Sequence, residues 1–444
     1  MKTLDQIAAQ LQGYDPQALS VDAATAFIGQ LVEPVHGTET VALFDALGRV
    51  LAQDLICPID VPPHDNSAMD GFAFAAAHLR PDAPTTFEIA GTALAGKAWQ
   101  GTVGPGQCLK IMTGAVMPPG LDTVAPQEIV TVEGNKVTVP PKLLRAGDNR
   151  RFAGEDLKAG EPALAKGEWL MPAALGLVAS LGIATVPVVR RLKVAYFSTG
   201  DEILSLGEPP REGAVYDSNR FVVFGLLTRL GIEVIDMGVV RDEPAALEAA
   251  FLQAAAEADA VITSGGVSVG EADHTRAIMK KLGDVVFWRI AMRPGRPMAV
   301  GRISSAKTAF TTSGKDVSSY ENNSNNGSAV LFGLPGNPVA VMVTFLAFVR
   351  PALLAMMGCT HPAPPLLRAR GSAALRKKPG RTEYQRGRVE RAADGALSVR
   401  AAGNQGSGVL SSMVRANGLI VLHHAQGNVA AGDEVDVMMF DGVI

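Results

Sequence analysis

Five short stretches carry the residue types that hold anions and metals or move protons. They are Ser198-Thr199-Gly200-Asp201-Glu202, Arg241-Asp242-Glu243, Ser264-Gly265-Gly266-Val267-Ser268-Val269-Gly270 with Asp273, Arg293-Pro294-Gly295-Arg296, and Pro335-Gly336-Asn337-Pro338. Glycines in the third let backbone N–H groups approach an anion, and a helix opening near Asp273 adds the positive end of its dipole, which suits a phosphate. The loop matches neither the P-loop nor G-x-G-x-x-G, so by itself it reads equally as a strand-to-helix connection. Asp242 and Asp273 each precede a helical pattern, where N-capping competes with metal binding. If Glu202, Asp242 and Asp273 converge to ~5 Å, each ionised pair repels by roughly 3 kcal/mol at an effective dielectric of 20, which demands a cation or a raised pKa. Hard oxygen ligands beside a phosphate suit Mg²⁺. Arg293 and Arg296 offer bidentate hydrogen bonds to an oxyanion, against the plainer reading of a solvated turn. A last cluster, Asp65-Asn66-Ser67-Ala68-Met69-Asp70-Gly71, satisfies the demands of a tight turn.

What brings these loops together is the pattern from Leu192 onward. Leu192 to Phe197, Glu233 to Val240, Ala260 to Thr263 and Val285 to Met292 read as strands, alternating with helices at Phe221 to Leu230, Ala245 to Glu257 and His274 to Leu282. Such alternation means βαβ units and a doubly wound, mainly parallel sheet, whose strand ends gather their loops on one edge where ligands bind. The long helix Pro338 to Met357, capped by Asn337, closes this α/β domain. Ahead of it, Ser20 or Asp22 caps a helix through Phe27, Ile28 and Leu31, and Gly/Pro-rich sequence with runs at Thr86 to Ile89, Gln107 to Met112 and Lys136 to Val139 predicts a small all-β unit. Leu164 to Pro187 returns to the earlier helix-and-strand character. The expected organisation is a discontinuous mixed scaffold and dimerisation domain (1–60 and 157–190), an inserted β domain (61–156), the α/β domain (191–360) and a C-terminal β-barrel (361–444). Ser304 to Ser328, rich in Ser, Thr and Asn, is expected to be a surface loop.

Composition narrows the classes. The 444 residues are 47% hydrophobic and 19% charged, enough apolar material for several cores at roughly 150 residues per domain. A net charge of −4 gives no general attraction for nucleic acid or anionic lipid, so an anionic ligand needs a local positive cluster. Cys57, Cys108 and Cys359 form neither a C-x-x-C pair nor a disulfide framework, which fits a reducing cytoplasm. Met1 to Tyr14 lacks a signal-peptide core, and the run Val339 to Val349 falls short of the ~20 residues of a membrane helix, so no membrane association is expected. The histidines show no zinc spacing; the pair His423-His424 reads as part of a strand.

With these residues assembled, the chain resembles the molybdopterin molybdenumtransferase family, which includes the E domain of gephyrin, along almost its whole length. The motifs are Asp65 to Gly71, Ile111-Met112-Thr113-Gly114-Ala115, Gly154-Glu155-Asp156, Ser198 to Glu202, Ser264 to Gly270 with Asp273, and Leu334-Pro335-Gly336-Asn337-Pro338, in family order. The resemblance implies a transferase that inserts molybdate into adenylylated molybdopterin with Mg²⁺ and releases AMP. It implies a homodimer, with the site between the α/β domain of one subunit and the inserted β domain of the other. It also implies Asp70, Thr113, Glu202, Asp242 and Asp273 as catalytic positions, the last three holding metal. Ser264, Gly265, Gly266, Ser268, Arg293, Arg296, Pro335, Pro338, Arg381, Ser407 and Arg151 are implied for substrate and oxyanion. The family's Lys-Pro-Gly-Lys-Pro is replaced by Arg293-Pro294-Gly295-Arg296-Pro297, which keeps charge and changes hydrogen-bond geometry. The arginine run before Gly154-Glu155-Asp156 is shortened to Arg150-Arg151. Implied partners are a molybdopterin adenylyltransferase and cofactor-accepting proteins. The alternatives are a molybdopterin adenylyltransferase itself, a non-catalytic molybdopterin-binding scaffold, and a tungsten-inserting enzyme.

Overall fold

The computed structural model describes residues 2–267, 274–305, 327–360 and 363–442. Its centre is a six-stranded sheet in the order Glu233–Val240, Lys193–Thr199, Ala260–Ser264, Ser328–Leu334, Pro297–Ser304, Gly283–Arg289. The first four strands are mutually parallel, and Pro297–Ser304 runs antiparallel to both its neighbours. Ala260–Ser264 is buried throughout, which explains why an interior parallel strand reads as a continuous apolar run rather than an alternation.

Alternate side chains of these strands feed two cores. Val194, Tyr196, Ile262 and Phe332 face one side, with Val223 and Leu227 of the Ser218–Arg229 helix and the apolar helix after Pro338. Ala195, Phe197, Val261 and Leu331 face the other, against Leu247, Ala250, Phe251 and Ala254 of the Pro244–Glu257 helix. Spacings of three and four put those last residues on one helix face. Phe251 meets Phe197 edge-on at 5.0 Å, and a fully buried phenyl of this kind contributes about 2–3 kcal/mol. The chain crosses from the strand on one side of Lys193–Thr199 to the strand on the other, so the topological switch point lies between Lys193–Thr199 and Ala260–Ser264.

On either side of the β insertion the chain pairs with itself. Thr38–Ala42 lies antiparallel to Thr185–Val189, and Leu55–Ile56 pairs with Pro162–Leu164, around a core of Leu51, Leu170, Val178 and Val188. Between them, residues 71–139 form a separate six-stranded sheet with Gln107–Ile111 near its middle. Cys108 is buried there, and burial pushes its thiol up to about 12, so it is chemically inert. At the C-terminal end, Thr382–Arg391, Leu397–Ala401, Leu367–Gly371, Glu434–Met439 and Gly418–Leu422 close into a five-stranded barrel through the pairing of the last with the first. The multidomain α/β plus β architecture is the one the sequence pattern calls for.

Several local expectations change. The strand expected over Val285 to Met292 divides into Gly283–Arg289 and Met292–Arg293. The Ile290 amide bonds Arg296 O at 2.8 Å, and Met292–Arg293 then pairs with Thr382–Glu383 of the barrel. The helix after Pro338 passes through a π turn at Phe345–Val349 before resuming at Arg350–Met356. At 19 residues it is long and apolar enough to cross a membrane, unlike the shorter run read from sequence, but 83% of its apolar window is buried in the core. Asn337 occupies its N-cap position without a side-chain capping bond, whereas Ser20 does cap its helix, accepting from Ala23 N at 3.1 Å. His423 donates to or accepts from Asp436 at 2.6 Å just beyond its strand. Most of the Ser304 to Ser328 segment lies outside the described residues.

Candidate functional site

At the switch point the Ala260–Ser264 strand runs straight into two glycines. Gly265 and Gly266 have φ of +94° and +62°, a region glycine alone enters freely. A Cβ on Gly265 would lie 2.5 Å from Thr199 O, and one on Gly266 would lie 2.6 Å from Thr275 Cβ. The loop is thus pressed between the neighbouring strand end and the next helix. Below it, the Ser264 hydroxyl sits 2.7 Å from Tyr196 Oη and 3.3 Å from Ser198 Oγ. Burial raises the Tyr196 phenol well above its ordinary range, so it stays neutral and serves the network as a fixed hydroxyl.

Glu202, exposed on the adjacent loop, folds its carboxylate back over Gly200, where a Cβ would meet Oε2 at 2.5 Å. Arg293 and Arg296 extend from the turn where the α/β rim meets the barrel, both exposed, and neither side chain has an ion-pair partner among the described residues. Gly295 between them carries φ +96° and packs on Thr344. Arg381 donates to Glu383 Oε1 through Nε at 2.8 Å. Burial opposes ionisation of Glu383, yet the hydrogen bonds from Arg381 and Gln385 outweigh it and hold the carboxyl below its usual range. Pro335 and Pro338 flank the loop into the last helix, and Val339 N donates to Ser407 O at 3.1 Å, tying that helix start to the barrel.

These elements enclose one cavity of about 970 Å³, ample for a nucleotide-sized ligand. Its walls include Glu202, Ser264, Gly265, Gly266, Arg293, Arg296, Pro335, Pro338, Arg381 and Ser407, all singled out from sequence. A second cavity of about 510 Å³, between Trp169, Arg350 and Met439, collects none of these residues.

The other six sequence candidates are not among the cavity's described walls. Ser268 and Asp273 lie outside the described residues. Asp242 does not line the cavity; its carboxylate accepts from Thr275 Oγ1 at 3.2 Å, and its amide donates to Asp201 Oδ1 at 3.3 Å. The capping reading of Asp242 is incorrect: the helix opens at Pro244 with Glu243 at the N-cap, with no side-chain bond. Asp70 and Thr113 sit together on the inserted β unit, both exposed, where Asp70 Oδ1 accepts from the Thr113 amide and hydroxyl at 2.7 Å each. The amide and then the hydroxyl hold the Asp70 carboxyl below its ordinary range. Arg151, also exposed, pairs in strand register with Asn66 of the same turn, while Arg150 forms an ion pair with Asp65. Among the described residues no three His, Cys, Asp or Glu side chains gather as a metal-binding group. Glu202 and Asp242 supply hard carboxylate oxygens, the donor type that Mg²⁺ takes.

Two wall residues with buried, unpartnered acceptors among the described residues were not found from sequence. Asp217 caps the Ser218–Arg229 helix through Oδ1, accepting from Arg220 N at 3.1 Å, while its buried Oδ2 has no partner among the described residues. Asn219 donates through Nδ2 to Gly336 O at 2.8 Å. Because that carbonyl can only accept, the amide orientation is fixed, and its buried Oδ1 is a second acceptor without a partner among the described residues. The available signal was the Asp-Ser-Asn triplet before a helix, which reads as ordinary capping.

Comparison with known proteins shows the family. Residues 19–182 match the family described as MoeA N-terminal region (domain I and II), residues 195–355 the probable molybdopterin binding domain, and residues 368–440 the MoeA C-terminal region (domain IV). The molybdopterin molybdenumtransferase of Haemophilus influenzae is 40% identical over 428 residues, covering 96% of this chain and 100% of its own. That of Nostoc is 33% identical over 438 residues, covering 96% and 95%. The crystal structure of a molybdopterin biosynthesis moeA protein from Pyrococcus horikoshii superposes with a TM-score of 0.78 at 27% identity, covering 95% of this chain and all of that one. With three consecutive family regions and relatives matched nearly end to end, the chain belongs to the molybdopterin molybdenumtransferase family.

Proposed function

We propose that the chain inserts molybdate into adenylylated molybdopterin and releases AMP. The observation that carries this reading is the single cavity that joins a glycine loop at a parallel-sheet switch point to three arginines and Ser407. The Gly265 and Gly266 backbone would cradle phosphate oxygens of the pterin nucleotide. Arg293, Arg296 and Arg381, with the Ser407 hydroxyl, would seat molybdate where the dithiolene sulfurs can replace its oxide ligands. Mg²⁺, held by Glu202 and Asp242 with Asp273, would supply positive charge beside the pyrophosphate. The buried acceptors on Asp217 and Asn219 would take N–H donors of the bound ligand.

Asp70 and Thr113 are proposed to complete the cavity of a second subunit in a homodimer, with the inserted unit of residues 61–156 facing the partner's α/β domain. A carboxyl held below its ordinary range is ionised at neutral pH and is a weak base. Its assigned work is therefore to orient a water or a cation, not to strip a proton. The proposed setting is the cytoplasm, between an adenylyltransferase that supplies the nucleotide and proteins that accept the finished cofactor.

The test is AMP release from adenylylated molybdopterin by purified protein, with Mg²⁺ and molybdate each present or omitted. Release stimulated by molybdate, with molybdenum retained on the pterin, is expected. Stable adenylylated pterin under every condition would refute the reading and leave a binding scaffold; ATP consumption with free molybdopterin would make the chain an adenylyltransferase.

A further inference from the structure

Arg386 is 1% exposed, and among the described residues its guanidinium bonds no carboxylate. A buried cation normally keeps its charge only when paired or fully hydrogen-bonded. Here its partners are neutral. Nε donates to Ser412 Oγ at 3.1 Å, while Nη2 donates to Asn404 O at 3.2 Å and Gly406 O at 3.1 Å. Those carbonyls lie close before Ser407, which the barrel contributes to the cavity wall along with Arg381. The same residue grips the loop through its backbone: Arg386 N donates to Gln405 Oε1 at 2.8 Å, and Gln405 Nε2 donates back to Arg386 O at 3.1 Å. The far end of the loop is fixed by Val339 N on Ser407 O.

Burial and the nearby Arg293 charge lower the guanidinium to about 10, so it remains protonated at neutral pH. Retaining an unpaired buried charge beside Arg293 is costly for a merely structural clamp, and becomes favourable once an anion arrives. A neutral side chain could brace the carbonyls without adding to the positive field.

We infer that Arg386 is the positioning residue of the anion seat, its planar fork fixing the Asn404–Gly406 backbone so that the Ser407 hydroxyl meets the oxyanion. The inference rests on the transferase reading. Lysine keeps the charge but cannot reproduce the fork.

The experiment compares wild type, Arg386→Lys and Ser412→Ala, measuring AMP release against molybdate at saturating adenylylated pterin, then against the pterin at saturating molybdate. Arg386→Lys is expected to raise the half-saturating molybdate about tenfold or more, the scale of one or two lost charge-assisted hydrogen bonds, while changing that for the pterin by less than about twofold. Ser412→Ala removes one acceptor and leaves the two loop bonds, so a smaller rise in the same parameter is expected. A folded Arg386→Lys protein with wild-type molybdate dependence overturns the inference, as does an equal rise for both substrates. Should Arg386→Lys fail to fold, an unchanged molybdate response in Ser412→Ala overturns it instead. No molybdate dependence in wild type would overturn the transferase reading and this inference with it.

Discussion

Replacing Gly266 by alanine isolates what the glycine loop contributes. The residue has φ +62°, where a Cβ costs about 1–2 kcal/mol. That Cβ would also lie 2.6 Å from both Cβ and Oγ1 of Thr275 and 2.7 Å from its Cγ2. Thr275 is fully buried, and the colliding Cβ is fixed to the helix backbone, so relief requires the helix or the loop to move. Overpacking of this kind costs about 1–3 kcal/mol. The sum, about 2–5 kcal/mol, appears as lost stability if the loop stays in place. If the loop relaxes outward and must be restored to receive phosphate, the same energy appears as roughly thirtyfold to several thousandfold weaker binding, at about 1.4 kcal/mol per decade. Moving Thr275 also disturbs its 3.2 Å bond to Asp242, so turnover should fall along with affinity. Thermal unfolding and equilibrium binding of adenylylated molybdopterin, measured on one preparation, separate the two routes. Gly266→Ala with wild-type melting and wild-type binding would refute the steric argument.

Other substitutions reach the remaining parts of the cavity. Asp242→Asn should abolish AMP release with unchanged melting and circular dichroism; wild-type turnover in the folded variant would remove Asp242 from the mechanism. Arg293→Ala and Arg296→Ala should each raise the half-saturating molybdate by about tenfold to a hundredfold, and an unaltered value would place the anion elsewhere. Thr113→Val removes the hydroxyl bond to Asp70 but keeps the amide bond, so the depressed Asp70 pKa moves part of the way back toward about 3.9. Because the role proposed for Asp70 uses its ionised form, the acid limb of the rate profile should shift to higher pH, with little change at pH 7. The pH dependence of turnover checks this, and an unmoved acid limb would mean that Asp70 does not govern it. Asn219→Asp should weaken pterin binding, since it removes the donor to Gly336 O and adds negative charge beside Asp217; binding equal to wild type would exclude Asn219 from the ligand's contacts.

The architecture was legible where burial is two-sided. Val194 to Phe197 and Ala260 to Thr263 read as continuous apolar runs because helices cover both faces of the sheet, and a run followed by a glycine loop locates the strand end on the binding edge. Legibility failed where tertiary contacts redirect the chain without changing its composition. Ile290 to Met292 is as apolar as the strand before it, but the Ile290 amide is taken by Arg296 O, and the chain turns toward the barrel. The π turn at Phe345–Val349 lies in uniformly apolar sequence, which carries no phase to mark it. The sequence pattern carries the helix through to Met357 but ends its uncharged run at Val349, because a charge normally ends a buried run; here the Arg350 guanidinium is buried and donates to Gly442 O at 3.2 Å.

The site divides along the same physical line. Loops bearing glycine, arginine and carboxylate side chains at strand ends could be pooled from sequence, because a parallel sheet gives all its C-terminal loops one address, and eight residues of those loops share the cavity with Arg381 and Ser407 of the barrel, which the family resemblance supplied. Asp217 and Asn219 escaped because their significance lies in what they lack. Capping explains an aspartate before a helix completely until one sees that Oδ1 alone does the capping and Oδ2 is buried without a partner among the described residues. Arg386 escaped for the opposite reason: in sequence it is one charge among many on an alternating strand, and only the closed barrel turns it inward beneath the Asn404–Ser407 loop. Composition and spacing identify groups able to contact a ligand, whereas the groups that hold those contacts in place are defined by burial and hydrogen-bond arithmetic. An anion seat built from exposed arginines would be no more selective than any basic surface patch; a buried fork beneath it, bonded to the backbone just before the hydroxyl, supplies the fixed geometry that selectivity for a tetrahedral oxyanion requires.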